Sequence, residues 1–112
     1  MTPEDREMLE MAARAAGILI EDYKGVMAII ERDGDECWRT GVYWDPLASD
    51  GDALRLAAQL GICVHVHPLN IGATKYGAAT YLGDWRERTL DDAADYRLAI
   101  TRAAAAIGRS MP

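Results

Sequence analysis

The stretch from Ser49 to Pro68 leaves the chain little choice of fold class. Ser49-Asp50-Gly51-Asp52 offers a capping hydroxyl with a carboxylate three residues on, directly before Ala53-Leu54-Arg55-Leu56-Ala57-Ala58-Gln59-Leu60-Gly61. A helix therefore starts at Ser49 and stops at Gly61. The next residues alternate, with Ile62, Val64 and Val66 on one face and Cys63, His65 and His67 on the other, until Pro68 ends the run. A helix passing straight into a strand points to an α+β protein.

Other segments repeat the same punctuation. Thr2-Pro3-Glu4-Asp5 places a cap, a first-turn proline and two acids ahead of an amphipathic run, predicting a helix over Pro3–Ala16 that Gly17 stops. Ile18-Leu19-Ile20 and Val26-Met27-Ala28-Ile29-Ile30 read as two strands of a hairpin joined by residues 21–25. Arg32-Asp33-Gly34-Asp35 is a turn signal, after which Cys37-Trp38-Arg39 and Val42-Tyr43-Trp44 read as a strand or an ordered aromatic loop. Asn70 to Ala73 is a connector, and Tyr76 to Leu82 a strand in which Gly77 marks a bulge or a close backbone approach. The last helix is expected to open on Asp91, Asp92 and Asp95 and to close on Arg102 and Arg109, with Tyr96, Ile100, Ala103 and Ile107 on its apolar stripe. No internal repeat or linker is evident along the chain. The expectation is one domain over residues 1–112, a helix/sheet/helix sandwich with three helices and a mainly antiparallel sheet of about four strands.

With 112 residues, half of them apolar, the chain has enough material for one core. Charged residues interrupt every apolar run, so no membrane span is expected, and the acidic opening lacks the pattern of a secretory signal. Cytoplasmic residence is the expectation. A net charge of −6 repels phosphate backbones and argues against DNA or RNA as partner; the same sign favours approach to a basic protein surface, although solubility alone is the commoner reason for an acidic chain. Cys37 and Cys63 form no clustered spacing, so buried free thiols are expected rather than a disulfide framework or zinc finger.

Few residues offer chemistry. Cys63, His65 and His67 stand in a row about 7 Å apart on one strand face, too far apart for all three to grip one ion. Two neighbours can do so if Cys37 or an aspartate supplies a further ligand. Asp45, Asp50 and Asp52 lack the spacing of a calcium loop, and caps and helix dipoles account for the latter two. Ser49 and Ser110 lie outside any nucleophile elbow, and no phosphate-binding glycine loop occurs. No catalytic residue and no cofactor is assigned. Trp38, Tyr43 and Trp44 are the candidate protein-binding residues, because Trp and Tyr supply interface anchors; anchoring loops to a small core is the favoured role for Trp44 and Trp85, while Trp38 is even between the two.

Trp44-Asp45-Pro46-Leu47, Ser49-Asp50-Gly51-Asp52-Ala53-Leu54-Arg55-Leu56-Ala57 and Leu60-Gly61-Ile62 together resemble the signature of the phage ABA-sandwich domain family. The alanine-rich run from Ala99 to Arg109 resembles the family's closing helix, and Gln59 stands where a lysine is common. The resemblance implies a sheet between helices, a phage or prophage origin and no assigned activity. The shared residues also make structural sense, since the Trp-x-Pro-Leu run can brace the entry to the helix that Ser49 caps, with Arg55 left outside. The functional expectation is a noncatalytic module that docks on a host or phage protein, including as an inhibitor of a host bacterial defence system. The alternative is a protein that binds or sequesters a nucleotide or metal. A homodimer through strand edges or the alanine-rich helix is a further expectation.

Overall fold

The computed structural model describes the backbone of residues 1–68, 76–82, 88–93 and 96–112, and the side chains of residues 1–66, 78–80 and 96–112. Within these bounds the elements run α1 (Pro3–Ala16), β1 (Ile20–Tyr23), β2 (Val26–Asp33), β3 (Glu36–Tyr43), α2 (Asp50–Leu60), β4 (Ile62–Pro68), β5 (Tyr76–Leu82), β6 (Arg88–Ala93) and α3 (Tyr96–Ser110). The fold is α+β and its strand pairing is antiparallel throughout. The strands form two three-stranded sheets, ordered β1-β2-β3 and β4-β5-β6, instead of one sheet of about four strands.

The local chemistry behind the helices holds. Thr2 Oγ1 accepts from Asp5 N at 3.1 Å, and Ser49 Oγ accepts from Asp52 N at 3.2 Å, each satisfying a donor that the helix start leaves without an internal partner. Gly17 and Gly61 close α1 and α2. Gln59 reaches across from α2 and donates to Ala16 O at 2.6 Å, so it caps the last turn of α1.

Two segments differ from expectation. The first hairpin turns on Lys24-Gly25 alone, with Tyr23 opposite Val26 and both turn residues at positive φ, so the strands extend into the polar stretch. That geometry suits the right-handed twist of a two-residue hairpin and explains why glycine ends it. Asp91 and Asp92, expected to open the last helix, lie in strand β6, and α3 starts at Tyr96. Pairing with β5 overrides the acidic composition that suggested a helix start. Asp95 lies outside the described residues, as does the connector Asn70 to Ala73. The β4–β5 register runs unbroken through Gly77 opposite His67.

The element order also contains a repeat that the sequence does not advertise: helix and three strands, twice, then a closing helix. Buried positions Leu9, Ala12 and Ala13 of α1 correspond to Ala53, Leu56 and Ala57 of α2, each set followed by a glycine cap and an isoleucine, Ile18 or Ile62. Both sheets carry an irregular register where the second strand of the unit meets the third. Burial periodicity repeats while side-chain identity mostly does not, which is why the pattern shows only in three dimensions.

Helix α3 lies at the centre of the helical layer, packed on α1 and α2 and against all three strands of the second sheet. The core joins Leu9, Ala12, Ala13 and Ala16 of α1 with Leu56 and Ala57 of α2, Ile62 of β4, and Ile100 and Ala104 of α3. Met27 enters it from the first sheet, with Ile20 and Ile29 at its margin. No helix among the described residues is long and apolar enough to cross a membrane.

Candidate interaction surface

Strand β3 is an edge. It pairs only with β2, and among the described residues no strand lies on its other side. Of its eight residues only Thr40 is even partly buried. Ile30 faces Arg39 and Ala28 faces Tyr43, so Thr40, Gly41 and Val42 together oppose Ile29 in an irregular bulge. Thr40 holds the bulge, because its hydroxyl donates to Ile29 O at 3.0 Å and its oxygen accepts from Val42 N at 3.2 Å. Bulges bend an edge and re-aim side chains, and this one leaves Val42 54% and Tyr43 58% exposed.

The register sorts the hairpin by face. Opposed residues share a side, so Glu31, Asp33, Glu36 and Trp38 stand on one face, and Arg32, Cys37 and Arg39 on the other. Trp38 continues the face of Met27 and Ile29 past the end of the core and is 45% exposed. On the opposite face Arg39 stacks over the Tyr23 ring at 3.9 Å and approaches Glu21 at 3.8 Å, bordering the buried Ala28.

Trp44 corrects the expected contact set. It is only 5% exposed and belongs to the core, and its backbone N–H donates to Met27 O at 2.9 Å. Its ring therefore anchors the end of β3 to the core, leaving only a small part of its surface at the floor of a neighbouring cleft. Pro46 is fully buried beside it. Trp85 lies outside the described residues.

The aspartates nearby hold the chain. Asp45 Oδ1 accepts from Leu47 N at 3.1 Å, and Ser49 N donates to Asp45 O at 2.8 Å. Asp52 reaches back past the cap residue, accepting Asp45 N at 2.9 Å, and also takes Arg55 at 2.7 Å. The expected capping box is thus a wider clamp, with the acid anchoring the loop instead of the cap's own N–H. Asp50 accepts a short hydrogen bond from the Tyr96 hydroxyl, while Arg97 donates to Ala48 O at 3.0 Å, so α3 is tied to the same loop.

Cys63, His65 and His67 occupy one face of β4 in register, as the alternation requires. Cys63 and His65 are exposed, and the side chain of His67 lies outside the described residues. Among the described residues no three His, Cys, Asp or Glu groups are placed to hold a metal ion. Cys37 sits on the other sheet. Both thiols are exposed, contrary to the expected burial: Cys37 lies on the hairpin beyond the core, and Cys63 on the face of β4 turned from it.

An open cleft of about 280 Å³ lies where α1, the start of β2 and the end of β3 meet. Leu9, Met27, Trp44 and Leu47 line it together with Asp5 and Asp45. Val26 and Tyr43, 47% and 58% exposed, also line it. Reading the residues singly missed this site: Asp5 was fully accounted for as a first-turn acid, and Val26 as an ordinary strand residue. Comparison with family models, curated proteins and solved structures returns no match.

Proposed function

We propose that this chain is a noncatalytic protein-binding module of phage or prophage origin that docks on a host or phage protein through strand β3. The carrying observation is that Trp38, Val42 and Tyr43 stand 45–58% exposed along an edge strand. Large aromatic groups beside unpaired strand hydrogen-bonding groups are what a docking edge uses, the backbone giving affinity and the side chains selectivity. Asp52 and one oxygen of Asp45 are meanwhile engaged with loop N–H groups, which gives that segment a bracing role. The resemblance of the same segment to the phage ABA-sandwich signature supports the origin and a setting in the host cytoplasm. Inhibition of a host bacterial defence protein is the most specific form of this reading.

The test is a pull-down from infected or lysogenic host lysate with the natural chain and a Trp38→Ala/Tyr43→Ala double variant. A protein captured in stoichiometric amount by the first and lost with the second supports docking through β3. Equal capture by both, or capture by neither, refutes it.

A further inference from the structure

We propose that the cleft between α1 and the base of the β2–β3 hairpin is the seat of one lysine or arginine side chain from a basic segment of the partner. This inference rests on the docking reading above and supplies the partner's chemistry. The cleft combines two features that a cationic side chain needs at once. Its lining is largely apolar, with Val26, Tyr43 and Leu47 available to the aliphatic stem over a buried floor of Leu9, Met27 and Trp44. Asp5 and Asp45 also line it, and they are the acids at hand for the charged head.

Those carboxylates are not neutralised internally. Asp45 uses one oxygen for Leu47 N, and neither Asp5 nor Asp45 forms an ion pair among the described residues. No lysine or arginine is among the described residues that line the cleft. Charge narrows the occupant further, and the open cleft of about 280 Å³ has room for one side chain. A nucleotide would bring its phosphates against two carboxylates. The net charge of −6 draws a basic segment toward the molecule, and Tyr43, shared by the cleft and strand β3, makes the site continuous with the docking edge.

The full chain, labelled with ¹⁵N, is titrated with N-acetyl-lysine methylamide and N-acetyl-arginine methylamide, and with the norleucine and glutamate analogues as controls. Both cations are expected to give saturable shifts at Met27, Trp44 and Leu47, with norleucine about tenfold weaker and glutamate silent. Added salt should weaken the cations alone. An Asp5→Asn/Asp45→Asn variant keeps an oxygen for Leu47 N, so its amide spectrum stays dispersed while cation affinity falls about tenfold or more. Equal binding of norleucine, saturable shifts at the cleft with ATP, or no saturation by either cation overturns the inference. If the cations fail while the pull-down succeeds, docking through β3 stands and only this seat is lost. If they bind while the pull-down fails, the cleft is a cation site and the docking reading is lost.

Discussion

The seam between α1 and α3 and the hairpin of β2 and β3 use side chains in opposite ways. The seam is built from small residues, Ala12, Ala13 and Ala16 against Ala104, Ala105 and Gly108, all buried. A Cβ on Gly108 would stand 1.9 Å from Met11 O, so the two backbones meet where glycine alone fits. Its rim is fastened by Arg109 on Glu7, with Nε donating at 2.9 Å, and by Arg14 donating to Pro112 O at 2.7 Å. In the hairpin the largest side chain, Trp38, lies outside the core. Close backbone approach gives rigidity because dispersion contacts fade steeply with distance, whereas an exposed aromatic adds little to folding and remains available to a partner.

The two tryptophans near β3 break this comparison most sharply. Trp44→Ala empties a core site and should cost about 3–5 kcal/mol in urea unfolding, whereas Trp38→Ala should change stability by no more than about 0.5 kcal/mol. Comparable losses from both would mean that Trp38 is also structural. Next in size, Gly108→Ala forces the helices apart and should cost about 3 kcal/mol by thermal denaturation. A neutral result would show that the seam is loose. Ser49→Ala removes the cap hydroxyl of α2 and should lower stability by about 1 kcal/mol.

The smallest effect sharpens the rim of the seam. The Arg109 guanidinium, through its hydrogen bond first, holds the Glu7 carboxyl below its ordinary value of 4.5. Because the folded-state value is the lower one, the pair's stabilisation is present above pH 4.5 and is lost as pH falls through the depressed value. The difference in urea midpoint between the natural chain and Glu7→Gln should therefore shrink on acidification from neutral pH. It should also be small, since both side chains are about half exposed. A difference that grows below pH 4.5 would assign Glu7 another partner.

Local signals carried much of the fold. Ser49 and Gly61 bound α2, Thr2 and Gly17 bound α1, and alternation defined β4, because caps and side-chain periods act over a few residues. Strand β6 was not legible, since Asp91 and Asp92 mimic the acidic start of a helix when read without β5 beside them. The candidate surface was half legible. Trp38 and Tyr43 stood out by residue type, but Trp44 carries the same signal and is buried, because exposure depends on what packs over a residue.

By itself, then, the sequence determined the limits of α1 and α2, the alternation of β4 and the sign of the molecule's charge. Only the tertiary structure decided that the strands divide into two sheets, that the helix-and-three-strand unit recurs, and that Asp5 and Asp45, far apart along the chain, border one cleft. The first group follows from interactions between near neighbours in the chain. The second arises from contacts between distant segments, whose partners are chosen by the burial of whole faces and not by any residue's own preference.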